Sequence, residues 1–115
     1  MEIKRENYCI TYDPTTAIMT FRGVIRIYEG AEYKAIVDLF KQVADQKPAT
    51  ITLNLQALQS LNSSGMNVFS KFILAVRQYA VSQLVIQGSK QFPWQQKAVN
   101  LFLRVMPSLK VAWLS

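Results

Sequence analysis

Residues 51–66 read Ile51-Thr-Leu-Asn-Leu-Gln-Ala-Leu-Gln-Ser-Leu-Asn-Ser-Ser-Gly-Met66. The stretch from Thr50 to Leu55 reads as a short strand with β-branched residues on it. A polar corner follows, Asn62-Ser63-Ser64-Gly65, and from about Ser63 to Ala80 the apolar residues recur at helix spacing. Asn62 or Ser63 is placed to cap that helix by accepting from its free first-turn amides. As structure alone, a capped helix start accounts for the corner; as function, the same corner displays a hydroxyl to a partner or a kinase. Gly65 fits the first reading less well, because glycine within a helix costs about 1 kcal/mol against alanine and needs a packing or access reason.

The strand-then-helix unit repeats on both sides. Upstream, Tyr8–Tyr12 and Ala17–Arg22 alternate around the turn Asp13-Pro14-Thr15-Thr16 and predict a hairpin. Gly23–Tyr28 extends the second strand, Glu29-Gly30 breaks it, and Ala31 to about Gln46 has helical periodicity ended by Lys47-Pro48. Downstream, Gln83–Gln87 predicts a strand stopped by Gly88-Ser89. Pro93 opens a helix that Pro107 closes, and Leu109–Leu114 is the last strand. The expected order is β-β-α-β-α-β-α-β. That is a single α/β domain over residues 1–115, with a leading hairpin, then alternating units, a mostly parallel sheet and helices packed on it.

The helix that follows the corner has a wide apolar face. Met66, Phe69, Ile73, Val76 and Ala80 form one stripe, and Val68, Phe72, Ala75 and Tyr79 a second beside it. Such an arc exceeds the roughly 100° face of an ordinary surface helix and predicts wedging between the sheet and a neighbouring helix. Leu74 stands apart, in the polar arc with Asn67, Ser70, Lys71, Arg77 and Gln78.

Charge is uneven. Residues 1–45 hold seven acids against six bases, whereas residues 46–115 hold seven bases and no Asp or Glu. The excess favours acidic partners and anions. Its bases are too scattered for a nucleic-acid stripe, no RNA-binding motif occurs, and Trp94 and Trp113 lie at core-like spacings. Histidine is absent, which removes Ser-His-Asp and Cys-His catalysis and leaves no zinc site. Paired carboxylates would have to come wholly from the first 45 residues. The chain therefore reads as a non-enzyme that needs no cofactor or metal. Cys9, alone and in a strand-like run, reads as a buried thiol. A charged N-terminus without an apolar core, and no apolar run of the ~20 residues that span a bilayer, point to the cytoplasm and away from a membrane.

In a sheet of this kind the loops leaving the carboxyl ends of parallel strands gather on one edge. They are expected to bring together Arg26–Gly30, Gln56–Ser64 and Gly88–Gln91. The stretch from Ile51 to Met66, the Gly23-Val-Ile segment and the order of elements together resemble STAS domains, the family of anti-sigma-factor antagonists. Their pattern is an apolar strand, a loop, then Asp-Ser-Ser/Thr-Gly-Leu opening a helix. The Asn-Ser-Ser-Gly version here resembles a small subgroup seen in cyanobacteria. Two residues depart from the pattern: Asn62 stands for the aspartate, and Arg26 for an acidic residue shortly after the strand glycine.

The resemblance implies a bacterial signal-transduction protein that acts by partner switching. Ser63 (second choice Ser64) would accept phosphate from a partner kinase of anti-sigma type and lose it to a phosphatase, and only the unmodified form would bind the downstream target. Asn62, Gly65 and Met66 would shape the corner, Arg26 and Lys90 would set its charge, and Leu74 would extend the binding face. A homodimer is compatible with an apolar edge strand. The alternative, from another class, is a small-anion or nucleotide binder that uses the same basic edge and the helix N-termini.

Overall fold

The hairpin turn begins the fold. The Asp13 side chain accepts from Thr15 N (2.9 Å), and the Asp13 carbonyl accepts from Ala17 N (2.8 Å), with Ala17 in the left-handed region. This Asx turn reverses the chain between strands β2 (Tyr8–Asp13) and β3 (Ile18–Ile25). In the computed structural model, which describes residues 1–115, the remaining elements are β1 (Glu2–Lys4), α1 (Ala31–Asp45), β4 (Thr50–Leu61), α2 (Ser63–Tyr79), β5 (Gln83–Gly88), α3 (Trp94–Val105) and β6 (Lys110–Trp113).

The six strands form one sheet in the order β1-β2-β3-β4-β5-β6. The first two pairings are antiparallel, and the three from β3 to β6 are parallel. Three like-handed crossovers advancing in one direction put their helices on one side of the sheet. Phenylalanines weld the two layers there. Phe21 of β3 lies 5.0 Å from Phe69 of α2 and 5.9 Å from Phe40 of α1; Phe40 stacks on Phe72 at 4.4 Å, and Phe69 on Phe102 of α3 at 6.1 Å. Helix α2 sits between α1 and α3, which is why its apolar arc is so wide. The opposite face of the sheet has no second layer. One row across it is Thr11, Thr20, Asn54 and Gln87, uncharged polar residues that stay hydrated. Cys9 lies on this face, partly exposed, and is not the buried thiol expected.

Two elements differ from expectation. Strand β1 was unforeseen: only its central residue, Ile3, is buried, so the alternation is too short to register. Strand β4 does not stop at Leu55 but runs to Leu61. Its pairing with β3 slips twice, between Thr20↔Asn54 and Arg22↔Ala57 and again between Gly23↔Leu58 and Val24↔Ser60. Each slip places an extra residue in β4, so Leu55 and Leu58 both reach the core although they are three apart. That break in period is what made Gln56–Ser60 read as a loop. No helix is long and apolar enough to cross a membrane.

Gly23 controls the point where β3 passes the N-terminal loop. Its φ is +91°, and a Cβ there would overlap the carbonyl oxygen of Asn7, which also accepts from Val24 N at 2.9 Å. Both the backbone angle and the space demand glycine. Gly23→Ala is expected to lower the unfolding free energy by about 2 kcal/mol or more, read from urea melts. A change within ~0.5 kcal/mol would show that the loop moves aside freely.

Candidate functional site

The corner after β4 is organised by one side chain. Asn62 is the N-cap of α2, and its Oδ1 accepts from Gly65 N at 3.1 Å. The same Oδ1 accepts from Ile27 N (3.3 Å), while Nδ2 donates to the Ile27 carbonyl (2.8 Å). Asn62 N donates to the Ile25 carbonyl at 3.1 Å. Two backbone N–H groups face one end of the amide and a carbonyl faces the other, so its orientation is fixed by its neighbours. The side chain acts as one further residue of the β3–β4 ladder while its backbone already turns into the helix.

This explains the departure at position 62. An aspartate could cap the helix, but it has no proton to give the Ile27 carbonyl and would set an anion against it. Asparagine satisfies all three groups.

Ser63 occupies the first helical position and is exposed; Ser64 is half-buried. Gly65 is buried, and a Cβ on it would run into the Leu61 side chain, which supplies the packing reason for glycine in a first turn. Met66 is half-buried against the core.

The three carboxyl-edge segments do meet, through Asn62 on one side and Gln95 on the other. Gln95 is fully buried; its Nε2 donates to the carbonyls of Leu55 (2.7 Å) and Leu58 (2.9 Å), and its Oε1 accepts from Ser89 N (2.9 Å). Arg26 and Lys90, however, flank the corner from opposite directions. Lys90 is exposed on the β6 side, where its amide donates to the Ser115 carbonyl at 2.8 Å. Arg26 lines a cleft of about 500 Å³ on the β2 side together with Arg5, Glu6, Asn7, Tyr8, Val24 and Glu32. In that cleft the Tyr8 hydroxyl donates to the Glu32 carboxylate. Burial first, then this hydrogen bond, holds the Tyr8 phenol well above its ordinary value, so the bond is intact at neutral pH and yields only in strong alkali. With two glutamates among its walls the cleft is not a purely basic anion site.

Leu74 is 41% exposed on the outer face of α2. At 1.5 Å per residue it lies about 16 Å from Ser63, close to three whole turns, so the two share one side of the helix. Asn67 and Lys71 are exposed along the same stripe.

Two residues were not anticipated. Tyr28, 69% exposed, follows the Ile27 backbone that Asn62 holds. Gln95 did leave a trace in the sequence: it stands on the apolar stripe of α3 with Ala98, Val99 and Phe102, a polar residue where only a buried one fits.

Asn62→Asp is expected to lower stability by about 1–3 kcal/mol at neutral pH, the range for a buried acceptor left unpaired. The deficit should shrink as pH falls from neutrality toward about 4, where a protonated carboxyl can again donate to Ile27, and stay level below that. In linkage terms the introduced acid has a raised folded-state pKa, so the lost stability returns as pH falls. Urea melts across pH check both points; a variant as stable as wild type at pH 7 would mean that capping charge outweighs the Ile27 contact.

No protein-family model matches the sequence, and no curated protein matches it. Among solved structures the chain is similar to SiaC in the crystal structure of the diguanylate cyclase SiaD in complex with its activator SiaC from Pseudomonas aeruginosa. The TM-score is 0.70 at 14% identity, over 98% of this chain and 97% of that one. At that identity the likeness speaks for the fold, and the fold is STAS-like: a mixed six-stranded sheet with strand–helix alternation.

Proposed function

We propose that this chain is a non-enzymatic regulatory protein of the anti-sigma-factor-antagonist type, whose binding to a protein partner is switched by phosphorylation of Ser63. The observation that carries the reading is the shared stripe on α2: an exposed hydroxyl at the first helical position and an exposed leucine three turns along it, on a helix whose opposite face is committed to the core. A partner seated on that stripe covers both. The fold match to a protein described as the activator of an enzyme with which it forms a complex supports protein binding over catalysis.

Phosphate at Ser63 suits the corner physically. A phosphoserine adds about −1.5 to −2 charge, and here it would meet the open first-turn amides of α2, a position worth ~0.3–1 kcal/mol for an exposed anion. No acid belongs to the corner, and the residue ahead of the serine is a neutral amide. The modification therefore leaves the domain intact and acts at the interface, because a partner burying the corner would have to desolvate a dianion. The kinase and the phosphatase of this scheme are separate proteins, and the protein itself remains in the cytoplasm.

Peptide mapping of protein isolated from its own cells is expected to place phosphate on Ser63, with a melting temperature equal to or slightly above that of the unmodified form. Phosphate confined to Ser64, or found on neither serine under any growth condition, would sink the assignment.

Leu74→Asp is expected to change stability by no more than ~1 kcal/mol, as for other exposed positions, and to lose the partner in pull-downs from the same cells. Unfolding of that variant, or unimpaired capture, would remove α2's outer stripe from the interface.

A further inference from the structure

Between α1 and α2 the helical layer does not close. Phe40 and Phe72, stacked at 4.4 Å, form the floor of a groove of about 140 Å³, and Val37 and Ala75 form its walls. The gap follows from the sequence: Ala44 and Ala75 stand at positions where larger aliphatic side chains would fill the helix–helix seam. Its size is close to the roughly 150 Å³ of an engineered apolar cavity that holds a benzene ring, so it accommodates one aromatic or branched side chain.

The rim is charged with one sign. Lys41 stands on the α1 bank and Lys71 on the α2 bank, both exposed. The nearby acids are turned to other tasks. Asp45 accepts from the Tyr79 hydroxyl at 2.9 Å, and Asp38 lines a separate cleft on the β1 side with Met1, Glu2 and Ile3. Tyr79 closes one end of the groove, held by Asp45 and by Lys47, whose Nζ lies 5.8 Å from the ring centre. The result is a preformed apolar slot with a cation on either side, shaped for an anchor residue flanked by carboxylates.

We infer that this groove is a docking site for an acidic amphipathic helix of a partner protein, which seats one large apolar side chain on the stacked Phe40–Phe72 pair, between Val37 and Ala75, and sets carboxylates against Lys41 and Lys71. A third helix laid along two others buries its apolar face in the seam between them, a recurrent mode of peptide recognition. The site lies apart from the Ser63 corner, shares Lys71 with the outer stripe of α2, and does not depend on phosphorylation of Ser63.

The test uses a labelled peptide of about 15 residues, the length at which an alanine-rich helix becomes viable in water. It is composed of glutamate and alanine with one central phenylalanine. Titrated into 15N-labelled full-length protein, it is expected to shift amides around residues 37–45 and 68–79 in a saturable way. Replacing the phenylalanine by alanine, or every glutamate by lysine, should weaken binding roughly tenfold or more, as should Ala75→Trp, which fills the slot. Lys41→Gln with Lys71→Gln, both at exposed positions, should weaken it about three- to tenfold, while Ser63→Ala leaves it unchanged. Shifts centred elsewhere, no saturation, or equal binding of the glutamate and lysine peptides would overturn the proposal. So would a dimer in sedimentation velocity that Ala75→Trp dissolves, because the groove would then belong to a second copy of the chain.

Discussion

A single buried amide settles how the longest strand can exist. Strand β4 has twelve residues and its neighbour β5 has six, with pairing between them ending at Asn54↔Gln87. Beyond that point the β4 carbonyls on the β5 side would be buried without donors, at about 1–3 kcal/mol each. Gln95 reaches in from the first turn of α3 and donates to two of them, at Leu55 and Leu58, while its own oxygen takes the Ser89 amide. With these groups satisfied, β4 can bulge twice and still run on to Leu61. The corner at Asn62, the entry angle of α2 and the phenylalanine contacts beneath it all follow from that extra length.

The sequence was most legible where its periodicity was clean. The hairpin, the three helices and the last two strands fall close to where alternation, helical spacing and the glycine and proline stops put them. It was least legible where two periods collide. Leu55, Leu58 and Leu61 recur every three residues, which is neither the alternation of a strand nor, without a fourth-residue partner, a helix; only the bulges reconcile them. The corner itself was readable as a cap, with Asn62 as one of two candidates. What could not be read was the second duty of that amide, since its partner Ile27 lies thirty-five residues away and contributes only backbone atoms. Arg26 and Lys90 were grouped by topology alone. Strand order separates them, because one flanks β4 from the β3 side and the other from the β5 side.

The helical layer and the open sheet face divide the surface into two kinds of ground. The open face is rich in threonines and amides, with Ile18, Arg22 and Val85 set singly among them. The helical face carries the irregularities: an exposed leucine on α2, a slot beside it, and a serine at the end of the same helix. Specific association needs a few desolvated anchors more than it needs area. The reading proposed above places those anchors on α2 and its flanks, from the corner to Tyr79.

The clasp between Asn62 and Ile27 also bears on how the protein can change over generations. It fixes the ends of β3 and β4 against each other before either helix begins, so the chain from Tyr28 to Gly30 is not needed to hold the corner. Those three residues are exposed, but Gly30, at φ +119° and capping α1, demands glycine, so Tyr28 and Glu29 are the two free to vary. Insertions, deletions and exchanges there leave the serine in place while remodelling the surface beside it. A lineage of such proteins could acquire new partners by varying one short loop, with the proposed switch residue and its scaffold untouched.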